Sequence, residues 1–284
     1  MAVLWVVSLL AAIAAGFATT MRTEVVVARN QIDNAEARSL ADAGFYRAVI
    51  ALASEGETLP RDGSAREWAF AGGVVIASVQ AEGGKVDLNG ADAELLAGLF
   101  AGAGAANPRN LAHAVIDYRD ADSDPLPGGA EDADYRAAGL GHEAKDRPFE
   151  RRDELLQVMG MTREVYDAVA PAITVYSRSR GIDPATAPAL ALAALSRMGA
   201  DGGEALAGQR VGKTLKDLRA LYGDSPYVVP SNIPVITMRR EPVVTIRSEA
   251  TTPSGAVFVR ESVVALTPGL RRPFHLLTWE QGRR

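Results

Sequence analysis

The chain of 284 residues has no cysteine, which excludes disulfides, zinc–thiolate sites and thiol nucleophiles and leaves the redox compartment open. Histidine is nearly as scarce. His113, His142 and His275 are scattered, and neither Gly-x-Ser-x-Gly nor His-Glu-x-x-His occurs. Positive charge is also short: 30 Lys and Arg stand against 35 Asp and Glu, a net of −5, so there is no basic footprint for a polyanion. Aromatics are only 6% of the residues while Ala and Gly abound, which favours helices packed through small side chains. "GQRVGKT" at 208–214 has three residues between its glycines where a phosphate loop has four, and no clear strand precedes it. A catalytic acid pair could hide among so many carboxylates. The candidates crowd into one loop, however, where a metal explains them better, and no enzyme is expected.

Charge is missing from the start of the chain too. "MAVLWVVSLLAAIAAGFATTM" has no charged side chain before Arg22, and some twenty helical residues cover the ~30 Å hydrocarbon core of a bilayer. A cleaved signal peptide is the alternative, with small residues in "AAIAAGFA" for a cut but no basic segment ahead of it. The following residues favour an anchor. Ala37, Ala41, Phe45, Ala48 and Leu52 recur at helical steps with no Pro and no Gly before Gly44 in 25–54. The expected element is one helix of roughly 50 residues, ~75 Å long: a transmembrane half (1–21) and an amphipathic half (22–53). The stripe from Ala37 to Leu52 is the expected partner-helix interface. Arg22, Arg29 and Arg38 would by the positive-inside rule alone hold the remainder in the cytoplasm. Long domains translocate largely regardless of such charges, and a basic leader preceding Met1 would complete the signal.

Beyond the helix, 54–67 reads as a polar loop. "WAFAGGVVIASVQAEGGKVDL" reads as two short strands, with alternation at Val75, Ala77 and Val79 and a turn at Gly83-Gly84. Helical signals broken by loops run from Asn89 to about Leu206. After Val228, "PVITMRR", "PVVTIRSEATT", "AVFVRESVVALT" and "FHLLTWE" read as strands. The order implies an α+β protein with a helical domain (88–206) inserted into a sheet domain (54–87 and 207–284). "VDLNGADAELLAGL" at 86–99 is echoed by "GIDPATAPALALAAL" at 181–195, with Asn89 and Asp183 as N-cap candidates. "ERRDELLQVMGM" reads as a helix ending on Gly160. The first copy, with "AGAG" at 101–104, resembles the helix-hairpin-helix unit of DNA-binding proteins. Residues 88–205 nevertheless hold 11 Lys and Arg against 19 Asp and Glu, a surface that repels nucleic acid.

The densest acidic stretch carries the sharpest chemistry. Asp117, Asp120, Asp122, Asp124, Glu131, Asp132 and Asp134 fall within 117–134, with no Lys and only Arg119 nearby. Asp120, Asp122, Asp124 and Glu131 take positions 1, 3, 5 and 12 of a twelve-residue window, the carboxylate spacing of an EF-hand calcium loop. Pro125 stands where that loop requires Gly, and Pro127 where it pairs as a strand, so an EF-hand conformation is not expected. An oxygen-only cation loop for one or two calcium ions is expected instead, with Asp117 and Asp132 as further donors. Magnesium suits crowded ligands in an irregular loop poorly. A solvated acidic loop is the alternative.

A helix greasy in its first half and amphipathic in its second resembles the type IV pilins and pseudopilins. "VIDYRDADSDPLPGGAEDADY" followed by "RPFERRDELLQVMGM" is similar to the K-type minor pseudopilins of the type II secretion system. In that family Asp-Trp-x-Asp-x-Asp precedes Gly-Ala-Glu-Asp and a Tyr, then a Glu-Leu-containing helix. Asp117, Asp120 and Asp122 match the run, with Tyr118 in place of the Trp, and Gly129, Ala130, Glu131, Asp132 and Tyr135 match the second part. "VDLNGA", "AITVYSRSRGIDPATAP" and the closing "LTW" extend the likeness over nearly the whole chain. The resemblance implies a pilin-like α/β domain with a large helical insertion that binds calcium. It implies helix packing with I-type and J-type minor pseudopilins and other pseudopilins, and processing by the prepilin peptidase if a leader precedes the chain. It places a single-pass protein in the Gram-negative inner membrane with its soluble part in the periplasm. Major subunits carry an early acid that meets the subunit above, whereas the first acid here is Glu24. A tip subunit needs no such partner. Other functions weighed are a membrane-tethered module that recognises exported substrate through its helical domain, a DNA-uptake module and an anchored hydrolase.

Overall fold

The computed structural model describes residues 2–54, 59–196, 200–209, 227, 242–267 and 273–283. The chain opens with one continuous helix, α1 (Ala2–Ala53). Residues 2–17 and 21–32 are exposed, and α1 is the one helix among the described residues long and apolar enough to cross a membrane. Strands β1 (Asp62–Phe70) and β2 (Gly73–Ala81) form an antiparallel hairpin in which Trp68 faces Val75. Two expectations change here. The polar loop ends at Arg61, because Ala65 to Phe70 pair along β2. The hairpin turn is Ala71-Gly72, while Gly83-Gly84 lies in a 3-10 turn that leads out of the sheet.

The chain then enters a helical lobe: β3 (Val86–Asp87), α2 (Ala93–Gly102), α3 (Pro108–Arg119), α4 (Asp132–Ala137), α5 (Arg163–Val169), β4 (Ile173–Thr174), α6 (Ala189–Ser196) and α7 (Ala200–Gln209). β3 pairs in parallel with β4. The helix expected before Gly160 is a 3-10 segment, Arg152–Gln157. Asn89 is not an N-cap. Asp92 caps α2 by accepting from the Leu95 N–H at 3.0 Å, while Asn89 binds both backbone polar groups of Phe149. Gly98 lets α2 approach α6, since a Cβ there would meet the Ala194 carbonyl oxygen at 2.7 Å. In the α2–α3 connection the N–H groups of Ala103, Gly104 and Ala105 donate to Leu99, Ala101 and Phe100. The turn thus keeps its donors for the helix end and does not aim them at phosphate.

The sheet resumes with β5 (Val243–Thr251), β6 (Val257–Leu266), β7 (Phe274–Leu276) and β8 (Glu280–Gln281). Its order is β1-β2-β5-β6-β7, with β8 also on β6, antiparallel throughout. The strand expected at "PVITMRR" and most of "GQRVGKT" lie outside the described residues. This is the α+β architecture expected: a long apolar-headed helix on an antiparallel sheet, with a helical lobe between β2 and β5.

The second half of α1 lies on the sheet, and this corrects the partner-helix expectation. Ala37, Ala41, Phe45 and Ala48 are at most 1% exposed, and Leu52 packs at the edge of the same core. The stripe is turned inward onto Val75, Val79, Val244, Ile246 and Val264. At Gly44 a Cβ would collide with Val75 Cγ1 and Ser248 Oγ, so small residues set how closely helix and sheet approach. Phe45 anchors the far end edge-to-face on Trp279, at 4.9 Å between ring centroids. The periodicity that marks a buried face cannot say whether the burying surface is another chain or the same one.

Candidate metal centre

The acidic loop leaves the C-terminus of α3 and returns at the start of α4. Both ends rest on an aromatic bed, where Tyr118 stacks on Phe149 at 5.1 Å and lies 6.4 Å from Tyr135. Tyr118 donates to Gln157 Oε1 at 2.9 Å, and the Met159 N–H donates to the Tyr135 hydroxyl at 2.9 Å. The Tyr standing where the resemblance has Trp thus anchors the helix end from which the loop departs.

The six expected ligands separate into two groups. Carboxylate oxygens of Asp120, Asp122 and Glu131 all lie within 4.8 Å of one another. Asp117, Asp124 and Asp132 are not among them. Asp117 is fully buried and staples the loop, accepting from the N–H groups of Ala130 at 2.9 Å and Leu126 at 3.2 Å. Gly129 is required beside it, because a Cβ there would overlap Asp117 Oδ2. Asp132 accepts from the Ala144 N–H at 3.1 Å and ties α4 to the following loop. Asp124 is exposed, and its N–H donates to Asp122 Oδ1 at 3.1 Å.

Electrostatics distinguishes this cluster from a solvated acidic surface. Asp120 Oδ1 and Glu131 Oε1 are buried with no hydrogen-bond partner, and Glu131 is only 5% exposed. A buried carboxylate oxygen with no donor is costly unless something neutralises it. Burial, followed by the charges of Asp117, Asp120, Asp146 and Asp122, pushes the Glu131 carboxyl up to about 7. Burial and the neighbouring acids also raise Asp117 and Asp120. Arg119 opposes the rise at Asp120 only after burial and the charges of Asp122 and Asp117. Its guanidinium turns away to the Leu88 and Ala91 carbonyls. Asp146 is an acid that sequence reading missed; it sits at φ +52° with its N–H donating to the Tyr118 carbonyl. No spacing rule links it to the loop, and only the fold of 138–149 brings it near.

A hard divalent cation fits this donor set. Three carboxylates offer oxygens at one centre, the neighbouring Arg119 guanidinium is bonded to backbone carbonyls, and calcium accepts such irregular oxygen coordination.

Residues 77–178, which contain the cluster, match the family described as type II secretion system (T2SS), protein K. Among solved structures the chain is similar to one from the GspK-GspI-GspJ complex of the enterotoxigenic Escherichia coli type 2 secretion system. The TM-score is 0.57 at 17% identity, over 93% of this chain and 100% of that one. At that identity the likeness speaks to the fold. No curated protein matches the chain.

Proposed function

We propose that this chain is a K-type minor pseudopilin of the type II secretion system and works at the pseudopilus tip, on the periplasmic side of the inner membrane, as an assembly component and not as an enzyme. The carrying observation is that the protein K match falls on the lobe inserted between β2 and β5, within a fold that also begins with a membrane-length helix. The similar solved structure comes from a complex with GspI and GspJ, and I-type and J-type subunits are the partners proposed here.

The sheet-facing stripe is unavailable to them, so the surface offered is the opposite face of α1. Met21, Val25, Ile32, Tyr46 and Ile50 are all exposed and fall on that face by helical spacing. They form a band ~44 Å long, continuous with the exposed apolar face at Leu10 and Phe17. A partner that runs along it from the bilayer outward is itself a membrane-rooted helix. Co-purification of the full-length chain with co-expressed I-type and J-type subunits tests this. Ile32→Glu with Ile50→Glu should abolish the complex while the melting temperature stays within a degree or two, since both residues are on the surface. A complex that survives both changes rules this face out.

In the same reading, Asp120, Asp122 and Glu131 hold calcium as a structural clamp, with Asp117 and Asp132 shaping the loop from behind. When bound, the ion supplies positive charge that keeps the three carboxylates deprotonated and joined. The support is the pair of orphaned buried oxygens. Titration calorimetry on the full-length chain should show binding that Asp120→Asn with Glu131→Gln removes. Absence of heat at millimolar calcium contradicts the clamp.

A further inference from the structure

The helical lobe and the sheet lobe have separate hydrophobic cores. One draws on residues between Val86 and Leu206. The other draws on α1 with residues of β1, β2, β5 and β6, and the two share no member. Among the described residues, the hydrogen bonds and ion pairs that join the lobes fall in two parts. The inner part is buried. Glu82, in the 3-10 turn where the chain leaves the sheet, is 1% exposed. It accepts from Lys85 Nζ at 2.5 Å, from the Thr245 hydroxyl of β5 at 2.5 Å, and from the Thr174 hydroxyl of β4. Gln80 Nε2 beside it donates to the Thr186 carbonyl at 2.6 Å.

The outer part lies along a cleft of about 580 Å³ that separates the lobes, lined among others by Tyr166 and Tyr176 on one wall and by Arg247 and Val263 on the other. Among the described residues three ion pairs cross it. Arg152 meets Glu261 at 2.7 Å, Arg283 meets Asp167 at 2.6 Å, and Arg151 approaches Glu280 at 3.7 Å. Each takes one member from the helical lobe and one from β6, β8 or the C-terminal residues.

We propose that this joint is a hinge with an electrostatic latch. The Glu82 network is the fixed pivot, and the three pairs across the cleft hold the helical lobe closed against the sheet. Opening breaks no apolar contact within either core, so the lobe that carries the acidic cluster tilts as a unit relative to the membrane-rooted helix. The buried pivot resists salt, because a desolvated pair is poorly screened. Arg283–Asp167 and Arg151–Glu280 sit at the surface and Arg152–Glu261 is half-buried at the cleft edge, where about 1 M salt shortens the screening length to ~3 Å.

The absence of cysteine makes the test direct. Ala65→Cys in β1 and Ala137→Cys in α4, both exposed positions, would carry the only two spin labels on the full-length protein in detergent. Pulsed electron resonance should give one narrow distance distribution at low salt and a second, longer population at high salt. Arg152→Glu should produce the longer population even at low salt. Arg152→Glu combined with Glu261→Arg should restore the narrow one. A distribution unchanged by salt overturns the latch without needing any charge variant to fold. An unchanged distribution in a folded Arg152→Glu protein overturns it as well.

Discussion

Buried charge is handled in opposite ways by the two lobes. Beneath α1 in the sheet lobe, Arg260 is 3% exposed and its charge is paired, although its Nη2 has no hydrogen-bond partner. Its Nε donates to Asp42 Oδ1 at 2.7 Å, and its guanidinium lies 4.4 Å over the Trp279 ring. In the helical lobe, Asp117, Asp120 and Glu131 face one another, and the nearest guanidinium, that of Arg119, is committed to backbone carbonyls. A paired charge joins α1 to β6 within the chain. The orphaned carboxylate oxygens of Asp120 and Glu131 leave the other lobe with charge that, in the reading proposed above, a cation joins. The first arrangement serves a scaffold, the second a loop whose order depends on its surroundings.

The largest effect expected from breaking this comparison is in the sheet lobe. Ala41→Glu would put a carboxylate at a 0% exposed site against the strands. Mutations that bury an unpaired charge fall in the exceptional tail, about 4 kcal/mol or more. Chemical denaturation should show the sheet lobe lost, and a stable folded variant would mean that α1 does not pack as described. Asp42→Ala comes next. It leaves Arg260 buried without its carboxylate, for a loss of about 3 kcal/mol, and Arg260→Met with it should recover part of that loss. Failure of the second change to help would mean the pair matters less than the ring contact.

The calcium clamp predicts a smaller shift confined to the other lobe. A ligand at a hundredfold excess over its Kd stabilises by about 2.7 kcal/mol, so chelation should lower the melting temperature and open residues 120–131 to protease. Acidity sharpens the contrast. Glu131 is raised in the folded state to about 7 from an ordinary 4.5. Below 4.5 both states hold its proton, and the contribution to metal-free stability is fully present. Between 4.5 and 7 the folded state binds more protons than the unfolded one, so that contribution fades as pH rises through the window. Calcium affinity should move the other way, strengthening towards pH 8 as the proton leaves. Glu131→Gln should flatten both slopes. Slopes unchanged in that variant would assign the titration to another group.

Much of this was legible in the residues. The charge-free start followed by apolar residues at steps of three and four dictates one long helix, because that periodicity is a property of the helix itself. Alternation at Val75, Ala77 and Val79 dictates a strand. The order of strands and helical signals gives an insertion, and the order of motifs around Asp117 to Tyr135 gives the resemblance to the family matched over 77–178. The acidic loop was legible as a candidate cation loop because carboxylates at that density repel unless something joins them. Only the tertiary structure decided that Asp120, Asp122 and Glu131 converge while Asp117, Asp124 and Asp132 do not. A loop broken by Pro125, Pro127, Gly128 and Gly129 has no period from which to compute where a side chain points. Only the tertiary structure decided, too, that the stripe from Ala37 to Ala48 meets the protein's own sheet. Spacing along a helix shows that one face is buried, and the partner surface is made by β2, β5 and β6, the last two about two hundred residues further along the chain.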